Sequence, residues 1–233
     1  MSTLVVAGLQ KTSLIDFPGK VSCVVFLSGC NFSCPYCHNP ELAQGEYPLR
    51  LSVAEVMAFL QSRHTFLDGV VISGGEPCLR PDLPVLCRAI RELGLAVKLD
   101  TNGSRPDVLE QVIDAALVDY IAMDLKTAPD NYGPPLCPEG SGKAVVKSID
   151  LIMKSSVDYE FRTTCVPPFV DEEIMKRMAG AIKGARRYIL QKFNPATVLD
   201  PGFFPSGRKA PGADRLLNLQ SLAEPLVSSC TIR

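Results

Sequence analysis

The sequence predicts an α/β fold built on a parallel sheet, on the strength of three observations. Short apolar runs alternate six times with stretches of helical period between residues 21 and 223, and strands that alternate with helices pair in parallel through right-handed crossovers. At 233 residues with 46% hydrophobic content, the chain can bury roughly 70% or more of its unfolded surface in one core. Helix starts fall where the alternation needs them: Ser52 and Glu55 read as the N-cap and third residue of a capping box.

Taken in order, residues 3–15 alternate loosely and turn at Gly8, a short strand or hairpin that leads into Asp16-Phe17-Pro18-Gly19 and packs against the rest. The run 21–28 is apolar and short enough for a buried strand, and its end delivers the chain into a cysteine loop. The helix opened by Ser52 runs to about Arg63 and closes the first unit. Further strands are expected at 69–73, 95–100, 119–124, 158–165 and 186–192, with helices at 82–93, 106–116, 144–155, 171–183 and 213–223. Six units fall short of the eight of a closed barrel. No internal repeat is visible. Two Pro/Gly-rich insertions interrupt the rhythm, at 127–143 and 194–212. Such loops are often functional lids, and are equally tolerated as surface excursions. One domain is expected over 1–233, with 1–20 as a lead-in and 194–233 as a C-terminal loop and helix.

Lys plus Arg number 24 against 25 Asp plus Glu, a net charge of -1, so neither nucleic acid nor a membrane surface is an expected partner. A partner is then recognised by local shape. Nine cysteines make an odd count in a chain that is no short secreted module, which argues against a disulfide scaffold and for a reducing compartment. The N-terminus lacks the basic start and apolar core of a targeting segment, and no apolar run approaches a bilayer span. The expected location is cytoplasmic.

Cys30, Cys34 and Cys37 stand within eight residues. Three thiolates suit an iron–sulfur cluster with one position left open, since such clusters are normally held by four cysteines. A Cys3His zinc site completed by His38 is the competing metal reading, although adjacent residues seldom converge on one ion. Three core cysteines are the blander one. Parallel barrels place their active sites in the loops after the strands, and there the chain sets Gly74-Gly75-Glu76, Asp100 with Asn102, Asp124 with Lys126, Arg162 with Thr164, and Gln191. Residues two apart on a strand share a face, so each pair is a joint polar display. An Arg inside a barrel needs a partner.

Cys-x3-Cys-x2-Cys with Tyr36 before the last cysteine resembles the signature of the radical S-adenosylmethionine (SAM) superfamily. The longer string Asp16-Phe17-Pro18-Gly19-Lys20, Phe26, Gly29-Cys30 and Cys37-His38-Asn39-Pro40-Glu41 is similar to the glycyl-radical-enzyme activases. Among these it most resembles the activating protein of anaerobic ribonucleoside-triphosphate reductase, related in turn to pyruvate formate-lyase activating enzyme. The likeness runs over most of residues 12–193.

The resemblance implies an open partial (β/α)6 barrel. It also implies a [4Fe–4S] cluster on Cys30, Cys34 and Cys37, and SAM as cofactor. Gly74, Gly75 and Glu76 match the motif that holds the methionine amino group. Asp100 matches the residue facing that amino group, Lys126 the one facing the carboxylate, and Tyr36 the one near the adenine. Asn102 and Arg162 are further cofactor-binding candidates. Gln191 stands in for a histidine that some relatives carry near the end of the sixth strand, where this chain has Phe193 and Asn194.

The remaining six cysteines form no Cys-x2-Cys pair, so one cluster is expected. The reaction implied is reductive cleavage of SAM to a 5′-deoxyadenosyl radical, which removes a hydrogen from a glycine of a partner enzyme. A flavodoxin or ferredoxin is the expected electron donor. No acid–base pair is needed, which suits a chain whose histidines are His38 and His64 alone. A radical enzyme acting on a small molecule or peptide is the alternative, and a zinc-stabilised binding module is the alternative of another class.

Overall fold

The computed structural model describes residues 4–47, 50–204 and 210–233. One eight-stranded sheet runs in sequence order, with β1 (Val6–Ser13) antiparallel to β2 (Ser22–Leu27) at one edge. From β2 onward every pairing is parallel, through β3 (Gly69–Gly74), β4 (Ala96–Thr101), β5 (Tyr120–Asp124), β6 (Asp158–Cys165), β7 (Tyr188–Lys192) and β8 (Cys230–Ile232). The two edge strands, β1 and β8, do not pair with each other. The result is an open partial barrel.

After the short α1 (Pro40–Gln44), the helices α2 (Val53–Arg63), α3 (Leu83–Glu92), α4 (Pro106–Asp114), α5 (Ser141–Lys154), α6 (Glu172–Ala181) and α7 (Ala213–Ala223) each follow one of the strands β2 to β7. These are the six expected units. The capping box at Ser52 forms as expected: the hydroxyl accepts from the Glu55 amide at 3.2 Å and Glu55 accepts from the Ser52 amide at 2.8 Å. Asp171 caps α6, accepting from the Ile174 amide at 2.8 Å.

Four elements differ from expectation, the first being α1, which lies where no helix is expected. The lead-in is one continuous strand paired on β2, because its amides find the free edge of that strand. Strand β8 was not foreseen, since three residues are too few to show a period, and it adds to the far edge by pairing with Tyr188–Leu190. Helix α5 begins at Ser141, ahead of the expected 144, because Gly140 adopts the left-handed conformation (φ 78°) and turns the chain early.

The period of two divides each strand between the helices and the barrel interior. Val25, Leu27, Val70, Ile72, Val97 and Leu99 join the larger core beneath the helices. Phe17, Val24, Val71, Tyr120 and Ala122 form a second apolar cluster. Along the same strands, toward their C-terminal ends, the residues facing the interior become polar: Ser73, Asp100, Asp124, Arg162, Thr164 and Gln191 line a cavity. Both insertions pack against the cysteine loop. In 127–143, Leu136 accepts the Ser33 amide at 2.8 Å and Pro135 the Ser33 hydroxyl at 2.9 Å. In 194–212, Asp200 donates its amide to Pro35 at 3.0 Å, residues 205–209 lying outside those described.

Candidate active site

Strand β2 hands the chain to the cysteine loop through Gly29, whose φ of 85° favours glycine. Helix α1 folds back so that Leu42 and Ala43 accept the amides of Gly29 and Cys30 at 2.7 and 2.9 Å. Next to it, β3 ends on Gly74 and Gly75. A Cβ on Gly74 would lie 2.2 Å from the Leu27 carbonyl oxygen, and one on Gly75 would lie 2.0 Å from that of Gly29. These glycines therefore let two strand ends touch, and the Gly75 and Glu76 amides bond across the contact to Leu27 and Gly29, each at 2.9 Å.

The cavity that this arrangement roofs has a volume of about 290 Å³. Cys30, Cys34, Cys37 and Tyr36 line it on the loop side. Gly74 and Gly75 line it at the end of β3, and Asp100, Asn102, Lys126, Arg162 and Gln191 from the later strands. Glu76 does not reach it. That carboxylate is fully buried behind the wall, where it accepts from the Cys78 amide (2.9 Å), the Thr101 hydroxyl (2.8 Å) and the Asn102 amide (2.6 Å). Burial holds its pKa above the ordinary carboxylate value in spite of those bonds. Its place in this structure is that of a brace between the ends of β3 and β4.

The strand-end charges form one alternating ladder. Lys98 meets Asp100 at 2.5 Å, Asp100 meets Arg162 at 3.3 Å, Arg162 meets Asp124 at 2.8 Å, and Asp124 meets Lys126 at 3.0 Å. Arg162 thus finds the partners that its burial demands. Burial alone would raise the two carboxylates, but the Arg162 guanidinium and the flanking lysines outweigh it and hold both below their ordinary values. Lys126 is likewise held above its ordinary value by Asp124 against the pull of burial. Of the charged residues that line the cavity, Lys126 and Arg162 offer cations and Asp16, Asp100 and Asp124 carboxylates, so both signs face it. That is suitable for the two ends of an amino acid.

Burial pushes the Cys30 thiol up to about 11 and that of Cys34 to about 12. Bound iron would reverse this by taking the thiolate form and releasing protons. Among the described residues no three Cys, His, Asp or Glu side chains gather as ligands of a metal ion. His38, the supposed fourth zinc ligand, instead stacks on Phe193 with ring centroids 6.0 Å apart. Phe193 touches Phe204, Phe204 touches Phe203, Phe203 stacks on Phe169, and Phe169 meets Tyr36, at centroid separations between 5.2 and 5.7 Å. This aromatic arc runs from one side of Cys37 to the other.

The radical SAM superfamily model matches residues 24–179, which include all three cysteines and the ends of β2 to β6. The chain belongs to the radical SAM superfamily. It is 37% identical over 233 residues to a "putative glycyl-radical enzyme activating enzyme" of Methanocaldococcus jannaschii, covering 98% of this chain and 95% of that one. It is 28% identical over 188 residues to the pyruvate formate-lyase-activating enzyme of Clostridium pasteurianum, covering 76% of each. A radical SAM methyltransferase from Sphaerobacter thermophilus shares the fold, with a TM-score of 0.68 at 15% identity, over 95% of this chain and 68% of that one. The cofactors of this radical SAM enzyme are accordingly a [4Fe–4S] cluster and SAM. The residues present fit them: three thiols on one loop face the cavity, and a carboxylate and a lysine stand on the strand ends opposite.

Some residues of the site were missed in the sequence. Lys98 is 1% exposed and takes one oxygen of Asp100, while the Ser73 hydroxyl takes the other at 3.1 Å. Lys98 stands two residues before Asp100, so the rule that paired Asp100 with Asn102 also points to it. Asn31, inside the cysteine loop, carried no such signal.

Proposed function

We propose that this radical SAM enzyme generates a glycyl radical on a partner protein, with anaerobic ribonucleoside-triphosphate reductase as the first candidate and a flavodoxin or ferredoxin as electron donor. The observation that carries this reading is the match to the Methanocaldococcus protein, which spans nearly the whole of both chains. The pyruvate formate-lyase-activating enzyme supports it. When bound, the reduced cluster supplies one electron to the sulfonium of SAM, which parts into methionine and a 5′-deoxyadenosyl radical.

Cys30, Cys34 and Cys37 hold the cluster. Lys126 and Asp100 clamp the carboxylate and ammonium of the methionine end, with Gly74 and Gly75 beside them. Tyr36, Asn102, Arg162 and Gln191 complete the walls, and Glu76 braces them from behind. A glycine is a fitting acceptor site because a residue without Cβ lets its backbone approach closely. With a net charge of -1, partner docking rests on shape more than on long-range steering. All nine cysteines are free and no helix among the described residues is long and apolar enough to cross a membrane, which supports a reducing, cytoplasmic setting.

Two measurements test the reading. Lys126→Ala removes a charge-assisted hydrogen bond worth about 1.5–3 kcal/mol, so equilibrium titration should show SAM binding weakened roughly 10- to 150-fold with iron content unchanged. Undiminished binding would take Lys126 out of the clamp. For the activity, reduced enzyme, SAM and the reductase are mixed without oxygen and followed by electron paramagnetic resonance. A doublet is expected only when all three are present, and it should collapse when the reductase glycine is α-deuterated. Deuterium passing from a small molecule into deoxyadenosine, with no protein radical from any glycyl radical enzyme, would refute the proposal.

A further inference from the structure

Asn102 does more than line the cavity: its side chain is aimed at a cysteine sulfur. Its Nδ2 lies 3.8 Å from Cys30 Sγ and 3.1 Å from Asn31 Oδ1. The orientation of the amide is fixed from the other end, because Asn102 Oδ1 accepts the Ser104 backbone N–H at 2.9 Å and only an acceptor can face that N–H. Both Nδ2 hydrogens are therefore committed, one to Asn31 and one to the sulfur. Asn31 is held in turn by Ser104, giving its Nδ2 to the hydroxyl at 2.9 Å and accepting from it at 3.2 Å. The Asn102 backbone N–H is anchored on Glu76 at 2.6 Å. Asn102 is 6% exposed, so water does not compete freely for these bonds.

The three cysteines are not treated alike. Cys30 Sγ also receives the Phe32 amide at 3.4 Å, whereas Cys34 Sγ faces the Leu136 carbonyl oxygen at 3.9 Å. Among the described residues, Cys30 is the one cysteine of the three whose sulfur accepts N–H bonds from its surroundings. Hydrogen bonds to cluster sulfurs are among the factors that set reduction potential, and outer groups that orient a ligand tune the metal it holds. An N–H dipole pointed at a thiolate favours the state with the greater negative charge, which is the reduced cluster.

We propose that Asn102, oriented by Asn31 and Ser104, is a positioning residue that makes the cluster easier to reduce by donating to Cys30 Sγ. The proposal rests on the reading that Cys30 is a cluster ligand. It assigns to the end of β4 a part in electron uptake that is separate from any contact with SAM.

Redox titration of the reconstituted enzyme without SAM, followed by electron paramagnetic resonance of the reduced cluster, tests this. Asn102→Leu keeps the backbone bond to Glu76 and loses the donor. Its reduction equilibrium should fall by roughly three- to tenfold, at most ~59 mV more negative for one electron. Asn31→Ala leaves Asn102 Oδ1 on the Ser104 N–H but removes the acceptor of its second Nδ2 hydrogen, which loosens the aim at Cys30 Sγ and should shift the potential in the same direction by less. Should Asn102→Leu fail to fold or take up iron, the Asn31→Ala value decides. A purely structural role would lower the melting temperature and leave the potential where it was. An unchanged or raised potential in iron-replete variants overturns the inference. The underlying reading fails differently, by Cys30→Ala retaining full iron.

Discussion

Replacing Cys30, Cys34 or Cys37 singly with Ala is expected to abolish reductive cleavage of SAM, measured as release of 5′-deoxyadenosine under strong chemical reductant, and to lower bound iron. Among the described residues no fourth cysteine lines the cavity to take the place of a lost one, and His38 stacks its ring on Phe193. Cys87→Ala and Cys230→Ala are the controls. Cys87 is buried in α3 beneath the helices and Cys230 begins β8, so their loss should lower stability modestly and leave cleavage intact. Full iron and turnover in any one of the three loop variants would remove that cysteine from the ligand set.

That loop was the most legible part of the chain, because ligand spacing is local. Three cysteines within eight residues declare a metal site before any fold is known, and the polar residues at 100, 124, 126 and 162 follow from the strand period and the rule that active sites sit at strand ends. What stayed hidden depends on contacts between distant segments. Gly74 and Gly75 read as part of the motif that holds the methionine amino group, and the structure adds a second part that the sequence did not signal, close approach to the backbone of Leu27 and Gly29. Glu76 read either as holding its neighbours or as accepting a bond from the cofactor, and its bonds to Cys78, Thr101 and Asn102 place it in the first part. The insertion 127–143 gave no sign that Leu136 would bond to Ser33, more than one hundred residues earlier. Strand β8 could not be seen because three residues carry no pattern, and its pairing is decided by the exposed edge of β7.

The largest stability effect should come from Arg162→Met. Among the described residues the guanidinium is the one group that touches both Asp100 and Asp124, with its own side chain 14% exposed against 16% and 28% for its partners. Removing one member of a buried ion pair costs about 3–5 kcal/mol, because the remaining charge loses its partner. Here Lys98 still holds Asp100 and Lys126 still holds Asp124, which places the loss at the lower end, about 3 kcal/mol. In a domain of this size that is roughly 6–12 °C of melting temperature. The pH dependence separates this cause from lost packing. In the wild type both carboxylates are held below their ordinary values, so their contribution is full above the unfolded aspartate pKa of about 3.9 and is lost as pH falls through the folded values. Without Arg162, burial pushes the same carboxylates upward, and protonation then relieves the variant at a pH where the wild type is still intact. The gap in melting temperature should therefore be widest near neutrality and narrow toward pH 4. A gap that stays constant across that range would mean that Arg162 stabilises the barrel through packing of its side chain and not through its charge.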